Sequence, residues 1–311
     1  MLLDTPDWSS RHNFHWHSNP KSKPVAKTLF DKVHLRPKIE AMYDIVKSKN
    51  DPRLPDAWET IKALDSKYNM SGSSAMTGGI LAQAGADAIL LKNKEPADAI
   101  AEQVEAFKKY KPRDWDGGKD VEKHKKYIDE LPGVIEHSVL GLREAMARDN
   151  RIIGEVEFIE HLPGLALPHN TRPDYNRRGD LKTKWSPQNK KSKSGWSKAS
   201  MPSSLTGMFD IKNVYQAAGF WALNGGQPPF IVYASCTDYK IFTPENAIEL
   251  TDGYLAEVVE HICLMHKSME NMLRSADTKE QLLSLVAPDY TEIYWEEPPG
   301  IIAEAKKLWR F

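Results

Sequence analysis

The chain has few cysteines and no long apolar segment. Two cysteines, Cys236 and Cys263, occur among its 311 residues, and both stand in apolar surroundings. Such a pair fits free thiols in a reducing compartment better than a disulfide framework. The sequence also shows no secretory leader, no lipidation motif and no apolar run of about 18 residues. We therefore expect a cytoplasmic protein that does not enter a membrane, and the cytoplasm of an infected cell is included.

An excess of charge of one sign is absent as well. Lysine and arginine total 42, aspartate and glutamate total 43, and the formal net charge is −1. No overall positive field therefore attracts nucleic acid, and any basic surface must be local. Gly78 and Gly79 are not followed by Gly-Lys-Ser/Thr, which argues against a phosphate-binding P-loop.

The first half of the chain has the periodicity of helices. Residues 1–27 are polar and aperiodic, which predicts a flexible N-terminal arm. Residues 28–150 are predicted to be a helical region, in which small residues open an Ala-rich first core helix at about 73–91. The other helices are expected at 29–49, 57–68, 96–110 and 136–149, with a short helical piece before the last.

The pattern changes period after residue 150. Residues 152–159 alternate as a strand does, Pro163-Gly164 turns the chain into a second strand, and residues 172–184 supply a hairpin. A helix around 215–220 and an apolar, β-rich run at 230–235 follow. This order predicts the α/β class, of the α+β type, with a mixed central sheet in residues 151–311 and C-terminal helices after it.

The segment 172–184 holds two carboxylates and a lysine. Residues 175–179 are typical of a hairpin loop with glycine, which would set Asp174 opposite Asp180. Asp180 and Lys182 are two apart in a strand and project from one face. Facing carboxylates are destabilising unless a cation lies between them, and oxygen ligands favour Mg²⁺ or Mn²⁺. The residues therefore predict a metal site beside a lysine, a combination suited to phosphodiester hydrolysis.

At these residues the chain resembles the PD-(D/E)XK nuclease superfamily, in particular its RecB/Cas4-like phage exonuclease branch. Pro173-Asp174 and Asp180-Leu181-Lys182 match the two halves of its signature. Gln216 and Phe220, four apart on a predicted helix, resemble the Gln-x-x-x-Tyr helix of that branch. The resemblance covers roughly residues 70–311 and implies a restriction-endonuclease-like core of helix, three strands, helix and strand.

The resemblance implies a Mg²⁺-dependent DNA exonuclease in which Mn²⁺ can substitute. It would be encoded by a phage, work in the host cytoplasm, and serve DNA replication, recombination or host DNA degradation. The implied metal ligands are Asp174, Asp180, the backbone carbonyl of Leu181 and, as a candidate extra acid, Glu155. The implied catalytic residues are Asp174, Asp180, Lys182 and Gln216. Lys182 would orient the water or stabilise charge on the phosphate, and Gln216 would support that geometry.

Two departures from the family pattern leave alternatives open. Five residues separate Asp174 from Asp180, a shorter interval than the family has, and Gln83 stands where the branch often has a histidine. The nearest alternative is a structure-specific endonuclease of the same fold. Another is a nucleic-acid-binding relic that has lost catalysis. A virion or scaffolding protein is a third, supported by the helical N-terminal half.

The basic stretch after Lys182 is the predicted DNA contact. Residues 185–198 contain lysines and two tryptophans but no acids, so the lysines could neutralise phosphates and the tryptophans could stack on unpaired bases. A solvated loop is the other interpretation. The DNA-binding candidates are Lys184, Trp185, Lys190, Lys191, Lys193, Trp196 and Gln83. The candidate partners are DNA, a second copy of the chain, and a single-strand-binding or recombination protein.

Overall fold

The structure is a computed structural model that describes residues 8–9, 73–112, 118–187, 198–207, 210–278 and 281. The predicted arm, the helices expected at 29–49 and 57–68, and the end of the chain lie outside the described residues, apart from a two-residue strand. Lys190, Lys191, Lys193 and Trp196 also lie outside them. No described helix combines the length and the apolar character that a membrane span requires.

Helices and strands are both present, which confirms the expected mixed α/β class. The described helices are α1 (Ser74–Leu90), α2 (Pro96–Lys109), α3 (Lys119–Ala145), α4 (Ile211–Leu223) and α5 (Asp252–Ser275). The described strands are β1 (Trp8–Ser9), β2 (Phe158–Glu160), β3 (His169–Thr171), β4 (Gly179–Thr183), β5 (Phe230–Ala234) and β6 (Tyr239–Phe242). A short 3₁₀ helix covers Ile248–Leu250.

The chain divides into two compact units, and the candidate site lies in one of them. This site unit consists of Ser71–Glu157 and Arg172–Val258. It contains a mixed sheet in which β5 pairs in parallel with β4 and antiparallel with β6. Helix α4 lies in the connection from β4 to β5, and a parallel pair needs such a crossover.

The other unit consists of Met1–Met70, Phe158–Thr171 and Val259–Phe311. In it, β3 pairs in parallel with β1 and antiparallel with β2. Along the chain, α1 at the predicted core-helix position is followed by α2 and α3 before β2, β3, β4, α4 and β5, and the described strands are divided between two three-stranded sheets. The expected single central sheet is not seen in the described residues, and the restriction-endonuclease-like core stays a prediction.

The strand expected at 152–159 is regular only over Phe158–Glu160. Before it, the chain contacts the segment that leads into the turn through isolated bonds, Val156 N to Pro173 O at 3.3 Å and Asn176 N to Ile153 O at 2.9 Å. Pro173 has no backbone N–H, so it cannot donate a second hydrogen bond back to the other segment. Asn176 has a positive φ of 46°. A regular ladder cannot form across such a pair of residues.

Helix α3 is longer than the sequence pattern indicated. A short piece and a separate helix near 136 were expected, whereas one helix of 27 residues runs through Pro132. An interior proline costs about 3 kcal/mol. Leu131, Val134 and Ile135 are fully buried, and each contributes about 1.5–3 kcal/mol, which offsets that cost.

Strand β4 has one face in the helical core and one polar face. Leu181 packs against the core that α1, α2 and α3 form, together with Val232 of β5. Asp180 and Lys182 alternate with Leu181 and project from the opposite face, where they pair in register with Ile231 and Tyr233. Because all five β5 residues are buried, the polar row on β4 lies against an apolar strand.

Candidate metal centre

A tight turn brings Asp174 and Asp180 together. Tyr175 and Gly179 form an antiparallel bridge, and the backbone N–H of Asp174 donates to the Gly179 carbonyl at 2.8 Å. Glycine is required at 179, because a Cβ there would lie 2.1 Å from the Phe230 ring. The hairpin expected from the sequence is therefore present, with residues 176–178 as its tip.

The tip of the turn is held by Asp149, a residue that no sequence signal indicated. Asn176 and Arg177 have left-handed φ values of 46° and 63°, which cost an arginine about 1–2 kcal/mol. The Asp149 carboxylate accepts from Asn176 Nδ2 at 2.6 Å and from Arg178 Nη2 at 2.8 and 2.9 Å. These charge-assisted bonds offset the strained backbone and fix the turn.

Asp174 is held at both of its carboxylate oxygens. Oδ2 accepts from the Leu181 backbone N–H at 2.8 Å, and Oδ1 accepts from Gln83 Nε2 at 3.1 Å. Burial, followed by the negative charge of Asp180, raises the pKa of Asp174 to about 7, although Lys182 and the Leu181 N–H oppose the change. Two close carboxylates of this kind resist being ionised together unless a cation joins them.

Lys182 is placed between the second carboxylate and helix α4. Its Nζ lies 2.5 Å from Asp180 Oδ2 and donates to Gln216 Oε1 at 2.9 Å. The Lys182 ammonium is thus the charge partner of the buried Asp180 Oδ2. The structure thus brings together five residues that the sequence had singled out: Asp174, Asp180, Lys182, Gln216 and Gln83.

The arrangement suits a divalent cation. Asp180 is a carboxylate that is only 2 % exposed, and the neighbouring carboxyl of Asp174 has a raised pKa. A cation at this position would offset both effects. Among the described residues, no group of three or more His, Cys, Asp or Glu side chains that could hold a metal ion is found, so the metal stays a prediction that rests on Asp174 and Asp180.

Two further predicted ligands are the Leu181 carbonyl and Glu155. The backbone N–H of Leu181 donates to Asp174, and its carbonyl stays a predicted ligand. Glu155 accepts from Arg172 Nη1 at 3.1 Å, and Arg172 also binds Glu157 at 2.7 Å. Glu155 is therefore engaged in an exposed ion pair, and no described contact links it to the carboxylate pair.

Trp185 is partly buried and packs on other residues of the site unit. Its ring stacks on Tyr127 with a centroid distance of 4.3 Å and an angle of 25°. It also lies against Gly78, where a Cβ would lie 2.6 Å from the ring, so the small residue at 78 leaves room for the indole on α1. Tyr127 thus stacks on the ring that was predicted to stack on a base, and the DNA contact of Trp185 stays a prediction.

The next residue fixes the start of the basic stretch to α3. Ser186 N donates to Glu130 Oε2 at 2.9 Å, and Lys126 Nζ donates to the Ser186 carbonyl. Burial raises the pKa of Glu130, and the Ser186 N–H and Lys126 oppose this change. Glu130 and Lys126 of α3 therefore hold the backbone at Ser186, just after β4.

Lys184 belongs to a second polar cluster beside Lys182. Its Nζ lies 3.5 Å from Asp210 Oδ1 and 5.0 Å from the centre of the Tyr233 ring. Tyr233 OH donates to Asp210 Oδ1 at 3.0 Å and accepts from Asn213 Nδ2 at 2.7 Å. Sequence reasoning named Lys184 but missed the residues that surround it.

Asp87 is another residue that sequence reasoning missed. Its carboxylate accepts from Tyr175 OH at 2.7 Å and so ties α1 to the turn. Asp87 follows Gln83 by four positions, so the spacing that puts both on one helix face was an available signal.

Comparisons of the chain with protein-family models, curated proteins and solved structures gave no match.

Proposed function

We propose that the chain is a divalent-metal-dependent DNA nuclease of the PD-(D/E)XK type, with Mg²⁺ as the metal, Mn²⁺ as a substitute and exonuclease action as the favoured mode. The observation that carries the proposal is the convergence of Asp174, Asp180 and Lys182, with Gln216 contacting the lysine from α4. Four side chains from a turn, a strand and a helix meet, and they are the four for which the resemblance implies catalytic roles.

Asp174 and Asp180 would hold the ion. When bound, a divalent ion polarises a phosphoryl oxygen and lowers the pKa of a coordinated water. Gln83 donates to Asp174, and this bond keeps one of its oxygens in place while favouring the ionised carboxylate. The side chains of the site are therefore largely positioned before any substrate arrives.

Lys182 supplies the positive charge next to the acids. Its ammonium is held by Asp180 and by the Gln216 amide oxygen, which fixes it on the polar face of β4. From there it can orient a water or stabilise negative charge that develops on a phosphate. Gln216 does not touch the reacting atoms in this scheme, and it acts as a positioning residue for Lys182.

The proposal is tested with end-labelled linear DNA, single- and double-stranded, in Mg²⁺, Mn²⁺ or EDTA. The wild-type protein should release mononucleotides in either metal and none in EDTA. Asp180→Asn and Lys182→Met should each lower the rate by at least about 100-fold, since each removes a group that acts in the transition state. Asp98→Asn, which removes an exposed acid on α2, is the matched control and should keep the wild-type rate.

The products separate the related activities. Cleavage of closed circular DNA, or release of internal fragments, would indicate that the same site acts as an endonuclease and not as an exonuclease. Tight binding that leaves all DNA intact in both metals would refute the nuclease and favour the binding relic. Equal rates for wild type and Asp180→Asn would show that the activity comes from elsewhere.

A further inference from the structure

Lys182 and Lys184 differ in how firmly they are held. Lys182 Nζ has one partner at 2.5 Å and another at 2.9 Å, and its side chain is 22 % exposed. Lys184 Nζ lies 3.5 Å from Asp210, well beyond the 2.7–2.9 Å of a strong charge-assisted bond, and its side chain is 32 % exposed. Among the described contacts, a single acceptor meets the three N–H donors of Lys184, so it retains capacity to bind an anion.

Lys182 and Lys184 project from the same face of one extended segment. Lys184 N donates to the Ala234 carbonyl at 2.8 Å, so strand geometry continues past Thr183. Asp180, Lys182 and Lys184 therefore project from one face, and successive members are about 7 Å apart along the strand. This separation is comparable to that of neighbouring phosphates on a nucleic-acid strand.

The support of Lys184 is rigid. Tyr233 is fully buried, and its hydroxyl binds both Asp210 and Asn213, so the Asp210 carboxylate is fixed to the sheet. Asp210 can hold the Lys184 ammonium near Lys182 when no ligand is bound, but the Asp210 carboxylate cannot move with Lys184 toward a ligand. The carboxylate therefore competes with an incoming anion for the lysine.

We infer that Lys184, with Asp210 and Tyr233 as its support, is a binding position for the phosphate next to the scissile one on a nucleic-acid strand. The inference rests on the proposed function and deepens it, because it assigns a substrate contact of the same site. Lys182 serves the phosphate that reacts, and Lys184 serves its neighbour. Asp210 weakens this contact, so removing its charge should strengthen binding.

Binding is measured by fluorescence anisotropy of a labelled single-stranded oligonucleotide in EDTA, over a series of salt concentrations. Lys184→Met should weaken binding and lower the slope of log K against log salt by about 0.7, the value for one phosphate contact on a single strand. Asp210→Asn should tighten binding about threefold at low salt, because Lys184 then has no competing carboxylate. A purely structural cluster would make both variants bind more weakly.

The controls separate charge from position. Lys184→Arg should restore most of the slope, since it keeps the positive charge. Lys108→Met on α2, whose lysine pairs with Glu105 at 2.6 Å, removes one positive charge elsewhere in the site unit and should change the slope little. Equal slopes for Lys184→Met and Lys108→Met would overturn the inference, as would wild-type protein that binds no oligonucleotide.

Hydrolysis provides a second readout in Mg²⁺. Bis(p-nitrophenyl) phosphate has one phosphodiester and no neighbouring phosphate, whereas an oligonucleotide has both. The ratio of kcat/KM for the oligonucleotide to that for the small diester should fall about tenfold in Lys184→Met and stay unchanged in Lys108→Met. An unchanged ratio in Lys184→Met overturns the inference while the nuclease stands. Absence of hydrolysis with a normal salt-slope result removes the proposed catalysis but keeps the phosphate position.

Discussion

Replacing Asp174 with asparagine should stabilise the metal-free protein, and the gain should grow with pH. Asp174 is half-buried beside Asp180, and burial followed by that neighbouring charge raises its pKa from 3.8 to about 7. Asparagine has nearly the same shape and no charge to be buried. Its Oδ1 can accept from Leu181 N–H, and its Nδ2 can donate to Asp180 or to a rotated Gln83 amide.

The sign and size of the effect follow from proton linkage. Because the pKa is higher in the folded state, the folded protein binds more protons than the unfolded chain, and stability falls as pH rises from about 4 to about 7. The raised pKa therefore lowers the free energy of unfolding by about 4 kcal/mol at about pH 8, and by about 2 kcal/mol at about pH 5, where the folded protein keeps the carboxyl protonated. The difference in free energy of unfolding between variant and wild type should therefore widen by about 2 kcal/mol over that interval.

Urea unfolding in EDTA, followed by tryptophan fluorescence at both pH values, measures this difference. Comparing the two pH values removes any constant effect of the substitution on packing. Asp98→Asn, at an exposed position on α2, should show no widening. A gap between Asp174→Asn and wild type that is constant or narrows toward pH 8 would refute the assignment of a buried, repelled carboxylate.

Three further outcomes are expected. Calorimetry should show tighter Mg²⁺ uptake at about pH 8 than at about pH 6, with more protons released at the lower pH, because Asp174 must ionise to bind the ion. Gly179→Ala should destabilise the protein by at least about 2 kcal/mol in urea unfolding, since its Cβ would lie 2.1 Å from the Phe230 ring. Trp185→Ala should lower stability by about 2–4 kcal/mol through loss of the stack on Tyr127, yet leave the salt slope of DNA binding unchanged.

Local signals in the sequence predicted much of the site. The turn residues between Tyr175 and Gly179 indicated the hairpin, and alternation along the strand put Asp180 and Lys182 on one face. The resemblance to the Gln-x-x-x-Tyr helix predicted the helix that carries Gln216. Each of these features depends on residues within a few positions of one another, where backbone geometry alone decides which side chains can meet.

Features that depend on distant packing were not predictable in the same way. Asp149 supports the turn from 27 residues away, and nothing in its own neighbourhood in the sequence distinguishes it from a surface acid. A separate helix was expected from residue 136, but α3 continues through Pro132, where tertiary burial of the neighbouring residues outweighs the lost hydrogen bond. Trp185 was expected to bind DNA because its neighbours are basic, whereas the space above Gly78 decides where its ring lies.

Helix α4 contacts both lysines of the site: Gln216 accepts from Lys182, and Asp210 at the N-cap of the helix lies beside Lys184. Asp210 and Gln216 are six positions apart, about 9 Å along a helix axis, whereas Lys182 and Lys184 are about 7 Å apart along a strand. A shift of α4 by one helical turn would move both acceptors away, so Lys184 would lose Asp210 while Lys182 would keep only Asp180. Any change that shifts α4 therefore acts on the surroundings of Lys182 and Lys184 together.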